Sequence, residues 1–215
     1  MPLYLADCQP PKPCYCECPV FYAGGGASYV DTHLPQAQLV NESEGFYKNK
    51  TSQTYLGWLA YGGVEVWWNA YWRFGAEIGY KNLAHFKTSY LQSKRDTFSD
   101  AFDGQVSFRY LHCTGVNLFM KGGAAYVRTR ITEEGAPYFF QKQKYYLSNI
   151  YPEITLGFGY YFCSSVNLVA SWSHLFGPTS TSRYLQNFND SAVSLRPAQC
   201  PGFDTISLAL EFSLN

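Results

Sequence analysis

The sequence predicts an all-β fold, a closed eight-stranded antiparallel up-and-down transmembrane β-barrel. Two observations support this prediction: apolar and polar residues alternate in eight segments after residue 19, and the links between these segments alternate between short and long. Composition is a third, because only 15% of the 215 residues are charged while 19% are aromatic. Strands that face lipid, with aromatic residues at the membrane boundary, have this bias.

Overall charge and one composition break define the domain organisation. The chain has 16 Lys and Arg against 16 Asp and Glu, so it lacks the excess of basic residues that nucleic-acid-binding proteins carry. Its aromatic content is too high for a disordered chain. The break near Pro19 separates a Cys- and Pro-rich tail, 1–19, from a barrel, 20–215. A barrel of this length needs no further domain boundary.

Alternation assigns the two faces of most strands. From Ile206 to Leu214 the even positions are apolar, while the odd positions are small or polar. The Gly-rich first segment is too ambiguous for its faces to be assigned. The predicted strands cover 20–31, 54–68, 71–81, 103–110, 116–131, 152–162, 166–176 and 203–214. The predicted lipid-facing residues include Phe74, Ile78, Phe108, Leu156, Phe158, Leu208, Leu210 and Phe212.

The opposite faces predict a charged lumen. The inward residues include five carboxylates and four cations: Glu65, Arg73, Glu77, Lys81, Asp103, Arg109, Lys121, Glu153 and Glu211. Side chains fill the interior of a narrow eight-stranded barrel, and buried charges persist there only when they are paired. We therefore interpret the set as a structural ion-pair network rather than a conduction path or a catalytic set. The sequence predicts no catalytic residue, no cofactor and no metal site.

The link lengths predict how the barrel sits in a membrane. Short links fall at 68–71, 112–115 and 163–165, and long links at about 32–53, 86–101, 132–148 and 177–202. In an up-and-down meander, all short links lie at one end and all long links at the other. Short periplasmic turns opposite long external loops are typical of bacterial outer-membrane barrels. Lipid tolerates no open sheet edge, so the eight strands must close.

Most cysteines are expected at the short-link end. Cys14, Cys16 and Cys18 alternate within the tail, without the spacing or a nearby His typical of zinc sites. A disulfide-bonded tail in an oxidising compartment is therefore favoured over a metal site. Cys200 falls in the last long link, a barrel height away. The candidate periplasmic disulfide cysteines are Cys8, Cys14, Cys16, Cys18, Cys113 and Cys163.

Short Gly- and aromatic-rich motifs recur along the barrel at 22–26, 61–66, 74–80, 121–126, 156–160 and 172–174. Their order and number resemble the small eight-stranded outer-membrane family that includes the OmpA transmembrane domain and the Opa-like opacity and surface-antigen proteins. The resemblance implies an integral outer-membrane protein with a periplasmic N-terminus, inserted into lipid by the barrel assembly machinery. It further implies a surface antigen, adhesin or envelope structural protein, neither an enzyme nor an open pore.

Other functions stay open. The protein could be a structural subunit of an envelope-spanning assembly that docks through its Cys-rich tail, and host or envelope proteins could bind the tail or the long links. A soluble lipocalin-like binder would also have eight antiparallel strands, but its apolar faces would line a cavity. Outer-membrane enzymes on similar barrels use a His, a Ser and an acidic residue. Ser173 and His174 are adjacent, however, so they should point to opposite faces.

Overall fold

The fold is a closed antiparallel barrel. A computed structural model describes residues 18–32, 53–90, 93–112, 114–134, 143–163, 165–177 and 202–214. Each strand pairs with its neighbours in the chain, and the first pairs with the last. The strands are β1 (Val20–Thr32), β2 (Gln53–Trp67), β3 (Trp72–Tyr90), β4 (Ser93–Leu111), β5 (Val116–Glu134), β6 (Gln143–Cys163), β7 (Val166–Leu175) and β8 (Phe203–Leu214). The predicted fold class is confirmed.

The short links are tight turns stabilised by local hydrogen bonds. Between β2 and β3, Asn69 Oδ1 accepts hydrogen bonds from the backbone N–H groups of Tyr71 at 2.9 Å and Trp72 at 3.0 Å. Between β4 and β5, Gly115 has a φ of 87°, a conformation that disfavours a side chain. Its N–H donates to the carbonyl of His112 at 3.0 Å. Across the described ranges, no helix is long and apolar enough to cross a membrane.

The Asn69 turn makes a testable contribution to stability. Replacing Asn69 with alanine removes the acceptor of two backbone hydrogen bonds, and we expect the free energy of unfolding to fall by about 1 kcal/mol. Asn69→Asp keeps a carboxyl oxygen in the same place and should stay close to wild type. Urea unfolding in phosphatidylcholine vesicles, followed by tryptophan fluorescence, measures both. Equal losses in the two variants would contradict this role for Asn69.

Two of the predicted long links are wrong because their residues extend strands. β3 and β4 pair from Trp72 opposite Tyr110 to Tyr90 opposite Ser93, so most of 86–101 is strand. β5 and β6 likewise pair as far as Glu133 opposite Gln143. An antiparallel strand in water needs no apolar outward face, so the alternation that marks a lipid-facing strand is lost there. Cross-strand pairing maintains the strands without it.

The barrel wall is higher on one side. β3 to β6 have 19 to 21 residues, whereas β7 has 10 and β8 has 12. β3 leaves β2 after Lys81, where a bulge follows, and β6 pairs with β7 only from Glu153 onward. Pro152 lies just beyond that point, and its carbonyl accepts from the N–H of Phe176 at 3.0 Å. Proline has no backbone N–H, and at Pro152 the missing group would point toward β7 and not toward β5. Because β7 has already ended at Leu175, Pro152 removes no hydrogen bond between paired strands.

Side chains inside the barrel form an apolar layer and a polar layer. The apolar layer lies toward the long-link end and consists of Val30, Leu83, Ala84, Ala101, Ala125, Val127, Leu175 and Phe203, each at most 2% exposed. Nearer the short turns lies the polar layer, in which most inward side chains are polar or charged and a few, such as Phe119 and Val169, are apolar. Of these two layers, alternation in the sequence predicted only the charged residues of the polar layer. Phe203 shares its parity with the inward Thr205, so alternation alone contained the signal for one member of the apolar layer.

Candidate functional site

Arg109 on β4 is the centre of the polar layer. Its guanidinium donates two hydrogen bonds to Glu211 on β8, Nη1 to Oε1 at 2.5 Å and Nη2 to Oε2 at 2.9 Å. Arg109 Nε lies 3.0 Å from Glu65 Oε1 on β2, and Arg73 Nη1 lies 3.7 Å from the other oxygen of Glu65. Arg109, Glu65 and Glu211 are each 1% exposed. One cation therefore links two carboxylates from β2 and β8, the strands on either side of β1. Buried charges of this kind are stable only when each has its partner, because removing one partner leaves the other as an uncompensated charge.

A second ion pair lies beside this centre. Lys121 Nζ on β5 donates to Glu77 Oε2 on β3 at 2.6 Å, and the hydroxyl of Tyr22 on β1 donates to the same oxygen at 2.9 Å. Lys121 Nζ also lies 4.8 Å from the ring centroid of Tyr61. Tyr22 and Tyr61 were not among the predicted lumen residues. Because residues 24–26 of β1 are glycines, the sequence did not show which face of β1 points inward, and Tyr22 could not be assigned. Tyr61 could have been assigned, because it lies four residues before the inward Glu65 on β2 and therefore shares its face.

A third group uses one lysine for two acids. Lys81 Nζ on β3 lies 2.8 Å from Asp103 Oδ2 on β4 and also contacts Glu153 Oε1 on β6. Beside it, Gln105 donates to Thr155 at 3.3 Å, and the hydroxyl of Thr155 donates to Ser173 at 3.0 Å. All nine predicted lumen residues point inward, and each pairs with at least one other member of the set.

Glycines on the inward face provide room for these side chains. A Cβ at Gly24 would lie 2.6 Å from Cζ of Tyr61, and one at Gly79 would collide with the carboxylate of Asp103. A cavity lined among others by Lys81, Asp103 and Lys121 has a volume of about 30 Å³. That is space for about one or two water molecules. The lumen is thus filled by its own side chains.

The outside of the barrel is apolar over the lower part of its wall, toward the short turns. Of the eight residues predicted to face lipid, seven are between 43% and 74% exposed, with Leu156 the least and Ile78 the most exposed. Phe108 is partly covered, because the ring of Trp72 stacks on it at a centroid distance of 4.6 Å. A soluble lipocalin-like protein would need these side chains in its cavity, so their outward orientation disfavours that alternative.

Aromatic side chains form two rows on the outer surface. Near the short turns, Trp72 packs against Phe108 and against Tyr110 at 4.9 Å. Farther along the strands, Tyr80 packs against Trp58 at 5.0 Å and against Phe102 at 4.9 Å. Aliphatic and small residues lie between the two rows. Such paired rows are typical of membrane–water boundaries.

Above the second aromatic row, the outer surface carries a fixed ion pair. Arg128 on β5 donates to Asp100 on β4 from Nε at 3.1 Å and from Nη2 at 2.6 Å, and Tyr80 donates to the same carboxylate at 3.3 Å. The Asp100 side chain is 2% exposed, whereas that of Arg128 is 52% exposed. The guanidinium of Arg130 lies 5.5 Å from the ring centroid of Phe98.

His174 lies on the outer surface and Ser173 faces the lumen. His174 Nδ1 is 2.8 Å from Asp204 Oδ1, and the ring lies between Trp172 and Phe176. Ser173 instead accepts a hydrogen bond from Thr155. Within the described ranges, no three His, Cys, Asp or Glu side chains are grouped to hold a metal ion.

The cysteine prediction remains untested. Cys18 is exposed, two residues before β1 begins. Cys8, Cys14, Cys16 and Cys113 lie outside the described residues, as does the side chain of Cys163. Cys200 lies outside them as well.

Comparison with known proteins identifies the fold. No protein-family model and no curated protein matches the sequence. Ail, the attachment invasion locus protein of Yersinia pestis, matches with a TM-score of 0.51 and 12% sequence identity, over 91% of this chain and 98% of that chain. The fold is that of a small outer-membrane barrel. The predicted resemblance is confirmed at the level of fold.

Two further solved structures have the same outer-membrane barrel fold. Neisserial surface protein A (NspA) matches with a TM-score of 0.52 and 11% identity, over 90% of this chain and 97% of that chain. Ail in complex with the heparin analogue sucrose octasulfate matches with a TM-score of 0.51 and 10% identity, over 91% and 99% of the two chains. Identities this low show a shared fold alone.

Proposed function

We propose that this protein is an integral protein of a bacterial outer membrane, with its long links at the cell surface and its N-terminal tail in the periplasm. The distribution of side chains is the observation that carries the proposal. Apolar residues such as Phe158, 60% exposed, and Leu208, 55% exposed, cover the outside, while ion pairs fill the inside. A soluble barrel has the reverse arrangement, and a continuous apolar surface in water would aggregate.

The spacing of the aromatic rows fits a bilayer. Trp72 and Tyr80 mark the two rows on β3, eight residues apart. At about 3.3 Å per residue and a strand tilt of about 40°, they are separated by about 20 Å along the barrel axis. Outer-membrane barrels have an apolar band of about 25 Å. The rows therefore support a membrane-spanning orientation in which β3 to β6 extend beyond the lipid.

The filled lumen supports a membrane anchor without an open pore. The ion pairs around Arg109 and Lys81 and the apolar layer around Phe203 close successive levels of the interior. The His174–Asp204 pair lies on the outer surface, with the adjacent Ser173 on the other side of the wall. These placements favour a protein that acts through its exposed surface rather than as an enzyme or a channel.

The most specific part of the proposal is a role as a surface antigen or adhesin that contacts host or envelope proteins. Outward-facing loops on a rigid barrel are where such binding resides. The names of two proteins with this fold, an attachment invasion locus protein and a surface protein, offer the same role as a candidate. The barrel assembly machinery would insert the chain. A structural subunit docking through its tail is the second candidate, favoured by Cys18, which leads into β1 at the short-turn end.

Gel mobility tests the membrane anchor. Detergent-extracted protein should migrate differently before and after boiling, with or without reductant, because a closed barrel resists SDS until it is heated. The same protein should fractionate with outer membranes and be cleaved by protease added to intact cells. Solubility without detergent, together with one mobility at all temperatures, would overturn the proposal.

Adhesion is tested separately from anchoring. Bacteria that express the protein at their surface should bind host cells or matrix proteins more than bacteria carrying the empty vector. Protease treatment of the intact cells should abolish the difference. Surface display without binding would favour the structural role, and cross-linking through the tail would then identify the envelope partner.

A further inference from the structure

The outer surface of β4 to β6 carries polar residues directly above the aromatic row. The strand register places Phe102, Tyr126 and Ile150 side by side on three neighbouring strands. Two residues farther from the short turns, Asp100, Arg128 and Ser148 are neighbours, followed by Phe98, Arg130 and Tyr146. Residues i and i+2 of a strand share a face, so these three rows follow one another on the outer surface. The outer surface thus changes from apolar and aromatic residues to a row that contains a cation within two residues along the strands.

Arg128 is held in one orientation at this boundary. Asp100 binds its Nε and Nη2 atoms and is itself 2% exposed, so the carboxylate is covered by the arginine that it binds. Two of the five guanidinium donors are used in this way, while the side chain remains 52% exposed. A buried carboxylate on the outer surface makes this a preformed donor site rather than a mobile surface side chain.

Arg130 stands beside Arg128 on the same face of β5. Residues two apart on a strand are separated by about 7 Å, a distance that two cations can bridge to one phosphate group. Phe98 lies beneath the guanidinium of Arg130, and the neighbouring Ser148 and Tyr146 are exposed. Lys144, also exposed, lies one further step along β6.

We propose that Arg128 and Arg130 bind a phosphate group of a phosphorylated glycolipid in the outer leaflet. The inference rests on the proposed membrane orientation, in which the Tyr80 row marks the edge of the apolar band. Phosphate headgroups lie immediately outside such a row, at the level of the two arginines. Arginine binds phosphate through two parallel N–H donors, and Arg128 is already oriented by Asp100.

The location favours a lipid over a soluble polyanion. The two arginines face sideways from the barrel wall, and the exposed Tyr126 and Ile150 lie next to them on the apolar side. A lipid can contact both parts at once, with acyl chains against the apolar residues and a phosphate against the arginines. A soluble polyanion would use only the polar part.

The test compares Arg128→Ser/Arg130→Ser with Lys48→Ser/Lys50→Ser, which removes the same charge elsewhere in the chain. Full-length proteins are placed in phosphatidylcholine nanodiscs containing a minor fraction of diphosphorylated lipid A. Native mass spectrometry then counts the lipid A retained per barrel. We expect enrichment of lipid A around wild type and the lysine variant, and a loss on the order of tenfold in the arginine variant. Dephosphorylated lipid A should not be enriched.

Three results would overturn the inference: equal losses in both variants, enrichment that ignores the phosphates, or sucrose octasulfate binding at the arginines while lipid A is not retained. The last result would assign the arginines to a soluble polyanion. Heat-dependent gel mobility of each protein separates these results from failure of the proposed membrane anchor. A barrel that inserts but retains no lipid A contradicts only the phosphate site.

Discussion

Replacing Arg109 with methionine is expected to lower the free energy of unfolding by about 3 to 5 kcal/mol. The substitution leaves Glu211, which receives two hydrogen bonds from the guanidinium, as a buried charge without its cation. Glu65 would keep only the more distant Arg73, at 3.7 Å. Urea unfolding in phosphatidylcholine vesicles measures the loss, and the temperature at which gel mobility changes should fall in parallel.

A double variant distinguishes the buried pair from the packing of the arginine stem. In the folded protein Asn167 and Tyr61 also donate hydrogen bonds to Glu211, at 3.1 Å and 3.5 Å. Adding Glu211→Gln to Arg109→Met removes the unpaired charge while keeping groups that can bond to these two residues, so stability should recover by more than about half. Arg130→Met removes an exposed arginine and should change stability by at most about 0.5 kcal/mol. If the double variant is as unstable as Arg109→Met alone, the loss comes from packing and not from the charges.

Replacing Leu208 with arginine is the second large expected effect. Leu208 lies near the middle of β8, points outward and is 55% exposed. In a lipid-embedded barrel, an arginine near the bilayer midplane costs about 2 to 4 kcal/mol and impairs insertion. The yield of heat-modifiable protein after refolding into vesicles, followed by urea unfolding of the inserted fraction, measures both consequences.

Leu214 is the matched control for Leu208. It has the same side chain on the same strand, also points outward and is 61% exposed, but it lies at the short-turn end. Leu214→Arg should therefore cost only about 0 to 1 kcal/mol. Equal costs at the two positions would contradict a depth-dependent apolar environment, and with it the membrane orientation.

Sequence periodicity predicts this barrel best where lipid and lumen impose opposite demands. In β8, Leu208 faces outward and Glu211 inward, as alternation predicts, because one face must be apolar and the other must fit a narrow interior. The short turns are predicted for a related reason, since residues such as Asn69 and Gly115 have intrinsic turn preferences. Every charged residue predicted for the lumen follows from the same parity.

Prediction fails where a single environment surrounds both faces. Asp96 and Lys144 belong to strands, yet water on their outer side removes the apolar signal, and their segments look like loops. The apolar layer was missed for a different reason: residues such as Val30 and Leu83 are apolar and point inward, so no contrast with a polar inward face identifies them. Ion-pair partners such as Arg109 and Glu211, 102 positions apart, require the closed barrel to bring them together.

The long β3–β4 hairpin determines where this protein can accept foreign sequence. In the sequence, residues 86–101 look like a long surface loop, where an epitope tag would normally be inserted. In the structure most of them belong to β3 and β4, which pair through 18 residue pairs. One residue added within either strand would turn the following side chains to the opposite face. An inserted tag that a loop would tolerate would therefore turn inward side chains outward, and outward side chains inward, along the rest of the strand. Display of a peptide from this hairpin therefore calls for insertion at 91–92, the link between the two strands, so that their register is preserved.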